Sequence, residues 1–169
     1  MLCNVAKGYA ATGEPQKAWA YLERAKKIQP RAVAVRSLEV ILLGRSGQPQ
    51  KALELARQAI ADKAYDYDLV NAAFVLAWRS GDHAGAEQAM QLRMKDWPQT
   101  RALGYVQLGT FYATEVRDPD KAMAAYRQAV ALASPQEAAA FRAQIPPQFH
   151  AQLGLTRSTP PAQTSSSSK

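Results

Sequence analysis

Few side chains in this sequence have the chemistry of a catalyst or a metal ligand. There is one cysteine, Cys3, and there are two histidines, His83 and His150. A structural zinc site needs four Cys or His ligands, so these residues do not build one, and a single cysteine makes no internal disulfide. Cys3 falls in an alanine-rich stretch with no histidine near it to act as a base, so it reads as a small packed side chain. His83 takes a loop position and His150 the C-terminal segment, neither beside a group that would make it a general base. Asp62, Asp66 and Asp68 cluster, but they alternate with Tyr65 and Tyr67 on a turn and lack the glycine that a calcium loop needs. Neither a Gly-x4-Gly-Lys-Ser/Thr phosphate loop nor a Gly-x-Ser-x-Gly nucleophile elbow occurs, and Gly44-Arg45-Ser46-Gly47 reads as a turn that ends a helix. The expectation is a non-enzymatic chain with no cofactor and no metal.

Function must then lie in the surface that the elements present, and the elements repeat. Gly13-Glu14-Pro15-Gln16-Lys17-Ala18 recurs as Gly47-Gln48-Pro49-Gln50-Lys51-Ala52, 34 residues later. After another 34, Gly81-Asp82 opens the pattern again and Ala86 takes the place of Ala18. A fourth copy, Arg117-Asp118-Pro119-Asp120-Lys121-Ala122, is displaced by 36. Each copy has the same physical content. A glycine or turn residue ends one helix, a polar residue caps the next, and proline fits its first turn, where no N–H is needed. Ala18, Ala52, Ala86 and Ala122 then let two antiparallel helices approach closely. A second small residue follows seven positions later as Ala25, Ala59 and Ala129, but the third copy carries Arg93 there. Pro30, Pro98 and Pro135 close three copies. Ala64 stands where the second copy lacks its proline, which predicts a hairpin that runs on or ends loosely.

The first helix of each hairpin has its own pattern, clearest in Tyr105-x-x-Leu108-Gly109-x-x-Tyr112 and repeated as Leu2-x-x-Val5-Ala6-x-x-Tyr9. Large residues fall on one face, and the small residue makes room for the partner helix. The middle copies are weaker: Arg36, Glu39, Val40 and Leu43, then Val70, Ala73, Phe74 and Ala77. These residues resemble the tetratricopeptide repeat family, whose signature is Trp-x2-Leu-Gly-x2-Tyr followed by Ala, an aromatic, Ala and Pro. Tyr105, Leu108, Gly109, Tyr112, Ala122, Tyr126 and Ala129 match it in the fourth copy. Gly13, Ala18, Leu22, Ala25 and Pro30 match its second half in the first. The resemblance implies an all-α fold, a right-handed α-solenoid of about four helical hairpins. The expected repeats are 1–30, 31–64, 65–98 and 99–135. A capping helix and extension over 136–155 follow, opened by Ser134-Pro135-Gln136-Glu137 in the form of a capping box. Ala138, Phe141 and Ile145 of that helix share a face that would cover the open end of the last hairpin.

The resemblance also implies a concave groove, lined by the first helices, that holds a protein or peptide partner. The faces turned to it are expected to carry Ser37, Leu38, Ile41 and Arg45 in the second hairpin. The third would present Asp68, Asn71, Val75, Trp78 and Arg79, and the fourth Val106, Gln107, Thr110 and Thr114. The partner-binding set is Lys7, Arg45, Asn71, Trp78, Arg79 and Gln107. Arg45 and Arg79, one repeat apart, should stack as basic groups at one rim. Trp78 is either an interface anchor or a packing residue between hairpins. Asn71 and Gln107 suit a peptide backbone. The Lys/Asn clamp by which some family members hold a chaperone's C-terminal carboxylate is not reproduced, because its places carry Cys3, Lys7, Leu38, Asp68 and Ala72.

Composition agrees with an interaction module. The chain has 169 residues, 47% apolar and 21% charged, enough for one globular domain. The net charge of +7 is uneven: residues 1–60 hold ten Lys/Arg against four Asp/Glu, and the remainder eleven against ten. That excess suits an acidic partner; no stripe of aromatic and basic residues points to nucleic acid. No apolar run is long enough to span a bilayer. No basic segment followed by an apolar stretch reads as a secretory signal at the N-terminus, so the chain would be cytoplasmic if whole and periplasmic if it belongs to an exported protein. The first hairpin begins abruptly, which suggests association through its uncapped face or the C-terminal part of a longer chain, such as the TPR appendage of a bacterial glycan or polysaccharide ligase, a pilus factor or a secretion assembly factor. Residues 156–169, rich in Ser and Pro, are expected to be disordered.

Overall fold

The computed structural model describes residues 1–155, so the expected disorder of the tail at 156–169 lies outside the described residues. Four helical hairpins follow one another: α1 (Leu2–Ala11) with α2 (Pro15–Ile28), α3 (Val33–Arg45) with α4 (Pro49–Ala61), α5 (Tyr67–Ser80) with α6 (His83–Asp96), and α7 (Arg101–Phe111) with α8 (Pro119–Leu132). Then come α9 (Pro135–Gln144) and two single 3-10 turns, Pro147–Phe149 and Ala151–Leu153. No strand occurs among the described residues. The result is an all-α solenoid in which α1, α3, α5 and α7 are the inner helices and α2, α4, α6 and α8 the outer ones.

Local chemistry sets these boundaries. Gly13, Gly47 and Gly81 take φ of 80°, 77° and 75°, the left-handed region that turns each inner helix into its outer partner. Pro15, Pro49, Pro119 and Pro135 open helices at their first position. Asp66, Asp82 and Asp118 cap α5, α6 and α8 by accepting from the backbone N–H of Leu69, Gly85 and Lys121. The fourth turn differs. The end of α7 widens into a π-turn over Tyr112–Val116, and Arg117 takes the left-handed place at φ 56°. That wider turn holds one extra residue, since Gly109 to Ala122 is one longer than Phe74 to Ala86.

The repeated alanines are where each hairpin closes. Ala18, Ala52, Ala86 and Ala122 are all fully buried. In the second tier Ala25, Ala59 and Ala129 are buried too, and so is Arg93, which is only 1% exposed. The apolar core splits in two. One part holds Ala6, Ala18, Leu22, Val35, Leu38 and Leu42 around the first hairpin. The other runs from Val40 through the remaining hairpins to Phe141, Ile145 and Phe149. Ser134 and Glu137 form both bonds of the capping box, and α9 lays Phe141 on the end of the array.

Two expectations need correction. The second hairpin does not end loosely without a proline: Lys63 takes φ 55°, and the Ala64 N–H closes onto the Ala59 carbonyl at 2.9 Å. Ser37, Leu38 and Val106 do not face the groove but are buried. For Ser37 and Leu38, packing against α1 and α5 on either side of α3 covers a surface that a hairpin read by itself would leave open; Val106 is covered where α7 meets α6 and α8.

Candidate functional site

The inner helices bring four polar groups into one hollow of about 270 Å³ on the concave side. It is lined by Lys7 and Ala10 from α1, Ile41 and Arg45 from α3, and Asp68, Asn71 and Ala72 from α5. Three successive hairpins thus meet at one place, although Lys7 and Asp68 are 61 residues apart in sequence. Lys7 donates to the Asp68 carboxylate across this hollow, and both side chains keep a third or more of their surface open to solvent. Such a pair contributes little to stability, because water screens it. The Arg45 guanidinium lies at the edge and donates through Nη1 to the Ala10 carbonyl at 2.9 Å. That bond satisfies one of the free carbonyls at the end of α1.

Farther along, α5 and α7 approach each other much less closely than α3 and α5 do. A side chain from the outer helix α6 bridges the space. Arg93 runs inward, its Nη1 donating to Asn71 Oδ1 and its Nη2 to Gln107 Oε1, both at 2.5 Å. Its guanidinium also lies over the Tyr67 ring at 5.7 Å. A Cβ on Gly104 would stand 2.7 Å from Met94 Cγ but only in ordinary contact with Arg93 Nη2, at 3.5 Å, so the close approach of α7 there is to Met94. Arg93 Nε has no hydrogen-bond partner, and no carboxylate lies within ion-pair distance among the described residues. Burial pulls the pKa of this guanidinium below its usual value, with Tyr67 acting in the other direction. An arginine nonetheless stays charged.

The site residues read from the sequence therefore fall into three groups. Lys7, Arg45 and Asn71 share the hollow. Asn71 and Gln107 are joined through Arg93. Trp78 is half-buried in an aromatic cluster, with centroids 5.2 Å from Phe74 and 5.5 Å from Phe111 at steep interplanar angles. Arg79 is exposed at the end of α5 and lines neither the hollow nor the Arg93 bridge. Sequence reasoning left Arg93 out of the site. Its signal was present as the one break in the series Ala25, Ala59, Ala129. Among the described residues no group of three or more His, Cys, Asp or Glu is placed to hold a metal, and no helix is long and apolar enough to cross a membrane.

Residues 102–135, which hold all of α7 but its first residue, its π-turn and α8, match the tetratricopeptide repeat family. The chain carries a tetratricopeptide repeat. The three hairpins before it bury an alanine at the place of Ala122, as Ala18, Ala52 and Ala86. Among solved structures the chain is similar to PilW, a widely conserved type IV pilus biogenesis factor. The TM-score is 0.61 at 18% identity, over 89% of this chain and 68% of that one. That likeness is one of fold. No curated protein matches the sequence.

Proposed function

We propose that this tetratricopeptide array is a non-catalytic scaffold that holds a peptide or protein segment along its concave face. The observation that carries the reading is the hollow where Lys7, Arg45, Asp68 and Asn71 converge from three hairpins. Its polar groups are half-open to solvent and spaced along successive helices, which suits an extended ligand that meets one helix after another. The basic excess of the first two hairpins favours an acidic partner. The test is Arg45→Glu combined with Lys7→Glu, both in the hollow. Capture of the partner in a pull-down, identified by mass spectrometry, should be lost while far-UV circular dichroism is unchanged. Undiminished capture would move the site to the convex face or the C-terminal tail.

A second reading is that the array serves a larger bacterial envelope assembly, as a pilus or secretion factor or as part of a glycan ligase. The supporting observation is the shared fold with a pilus biogenesis factor over most of the chain. Deletion of the gene should then reduce surface pili or exported glycan. Unaltered envelope structures would remove this reading and leave the scaffold reading standing.

A further inference from the structure

The Arg93 bridge is the feature of the array that packing alone does not explain. Three hairpins place alanine at this tier and bury it completely or nearly so. The third places a guanidinium there, without a carboxylate and with Nε unpartnered. A buried charge that lacks a counter-ion lowers stability, and an apolar side chain of similar volume is often as good or better. The arginine nevertheless does something definite to its neighbours. Only the oxygen of a primary amide can face a guanidinium, so both amides are fixed in orientation. Asn71 Oδ1 and Gln107 Oε1 turn toward Arg93, and the two NH2 groups are directed away from it. Both residues remain partly exposed, and Asn71 lines the hollow. The seam between α5 and α7 thus carries two amides whose N–H donors are turned away from a buried positive charge.

We propose that this seam binds a carboxylate of an acidic peptide, accepted by the Asn71 and Gln107 amide N–H groups that Arg93 orients. The inference rests on the groove reading above and names the chemistry the groove selects. Arg93 is a positioning residue here: it acts through the two amides and through the field of its charge, which a carboxylate neutralises and a neutral amide does not. A main-chain carbonyl would accept the same hydrogen bonds but would leave the charge uncompensated, so the seam prefers the anion.

The experiment uses the full chain and a phage-displayed random dodecapeptide library. Peptides enriched on the wild-type protein are synthesised in pairs that differ by Glu→Gln or Asp→Asn at their common acidic position. The wild type should bind the acidic member about tenfold or more tightly, the worth of a charge-assisted hydrogen bond. Arg93→Met should melt at or above the wild-type temperature, still bind, and no longer distinguish the two members. The double variant Asn71→Ala with Gln107→Ala should lose the same preference, and it serves as the test if Arg93→Met does not fold. An equal preference for the acid in wild type and Arg93→Met would overturn the proposal, as would enriched peptides with no common acid. Failure to enrich any peptide would overturn the groove reading itself, and this proposal with it.

Discussion

Gly109 gives a sharp test of how tightly the fourth hairpin is packed. It lies on α7 against Tyr126 of α8, and a Cβ built on it would stand 2.5 Å from Tyr126 Cε1, 2.6 Å from Cδ1 and 3.0 Å from Cζ. The ring would have to retreat by about 1 Å to reach ordinary contact. It has nowhere to go: Tyr126 is fully buried, its hydroxyl sits 3.2 Å from Thr110 Oγ1, and its ring lies 5.1 Å from Phe149. Overpacking of this kind costs roughly 1–3 kcal/mol, and a ring held on three sides belongs at the upper end. Against that, alanine in a helix interior is about 1 kcal/mol better than glycine. Gly109→Ala should therefore lose about 2 kcal/mol, which for a chain of this size lowers Tm by roughly 4–8 °C. Gly8 in α1 is the control, because a Cβ there meets nothing within 4 Å. Gly8→Ala should raise stability by up to about 1 kcal/mol. Thermal melts followed by far-UV circular dichroism decide the matter. A Gly109→Ala protein that melts at or above wild type would show that close approach is not what selects glycine there.

Acid should destabilise the array in a defined window. The backbone N–H of Gly85, with Arg57 behind it, holds the Asp82 carboxyl below its usual 3.8; Arg36 and Gln58 do the same for Asp62, and the Ser134 backbone for Glu137. A depressed folded pKa gives stability that is complete above the unfolded value and is lost as pH falls through the folded one. Tm should accordingly hold near neutrality and decline below about pH 4, and Asp82→Asn, which keeps a cap but not the charge, should flatten the decline. A Tm unchanged down to about pH 3 would contradict this. Phe149→Ala removes a buried ring from Tyr126 and should cost about 3–5 kcal/mol in denaturant titration. A loss under about 1 kcal/mol would mean that the segment after α9 is not part of the core.

The turns and the hairpin interiors were legible in the sequence because their causes are local. A glycine that must be left-handed, a proline that needs no N–H partner and an alanine at a close crossing each declare themselves at one position. The concave face was less legible, since exposure there depends on the neighbouring hairpins. Leu38 looks outward on a hairpin considered alone and is buried once α1 and α5 flank α3. Asn71 and Gln107 were expected at the groove from their helix positions, but what orients them comes from an outer helix. The sequence shows Arg93 as an exception to the alanine rule; only the superhelix shows that its side chain crosses to the inner layer. Lys63 gives no such signal, because its left-handed turn shows in the backbone bonds that end α4 and not in its residue type.

The division of the core at α3 has a consequence for how the molecule breathes. Val35, Leu38 and Leu42 face the first hairpin while Val40 faces the rest, so a single helix carries the apolar contact between the two parts. In a linear array each unit is held only by its neighbours, and an end unit can open while the others stay closed. Amide hydrogens of α1 and α2 should then exchange with solvent at a lower free-energy cost than those of α5 to α8. A ligand lying from Lys7 to Gln107 would span both parts and tether the end unit, so occupancy of the groove would be written in the slowed exchange of helices at its far end.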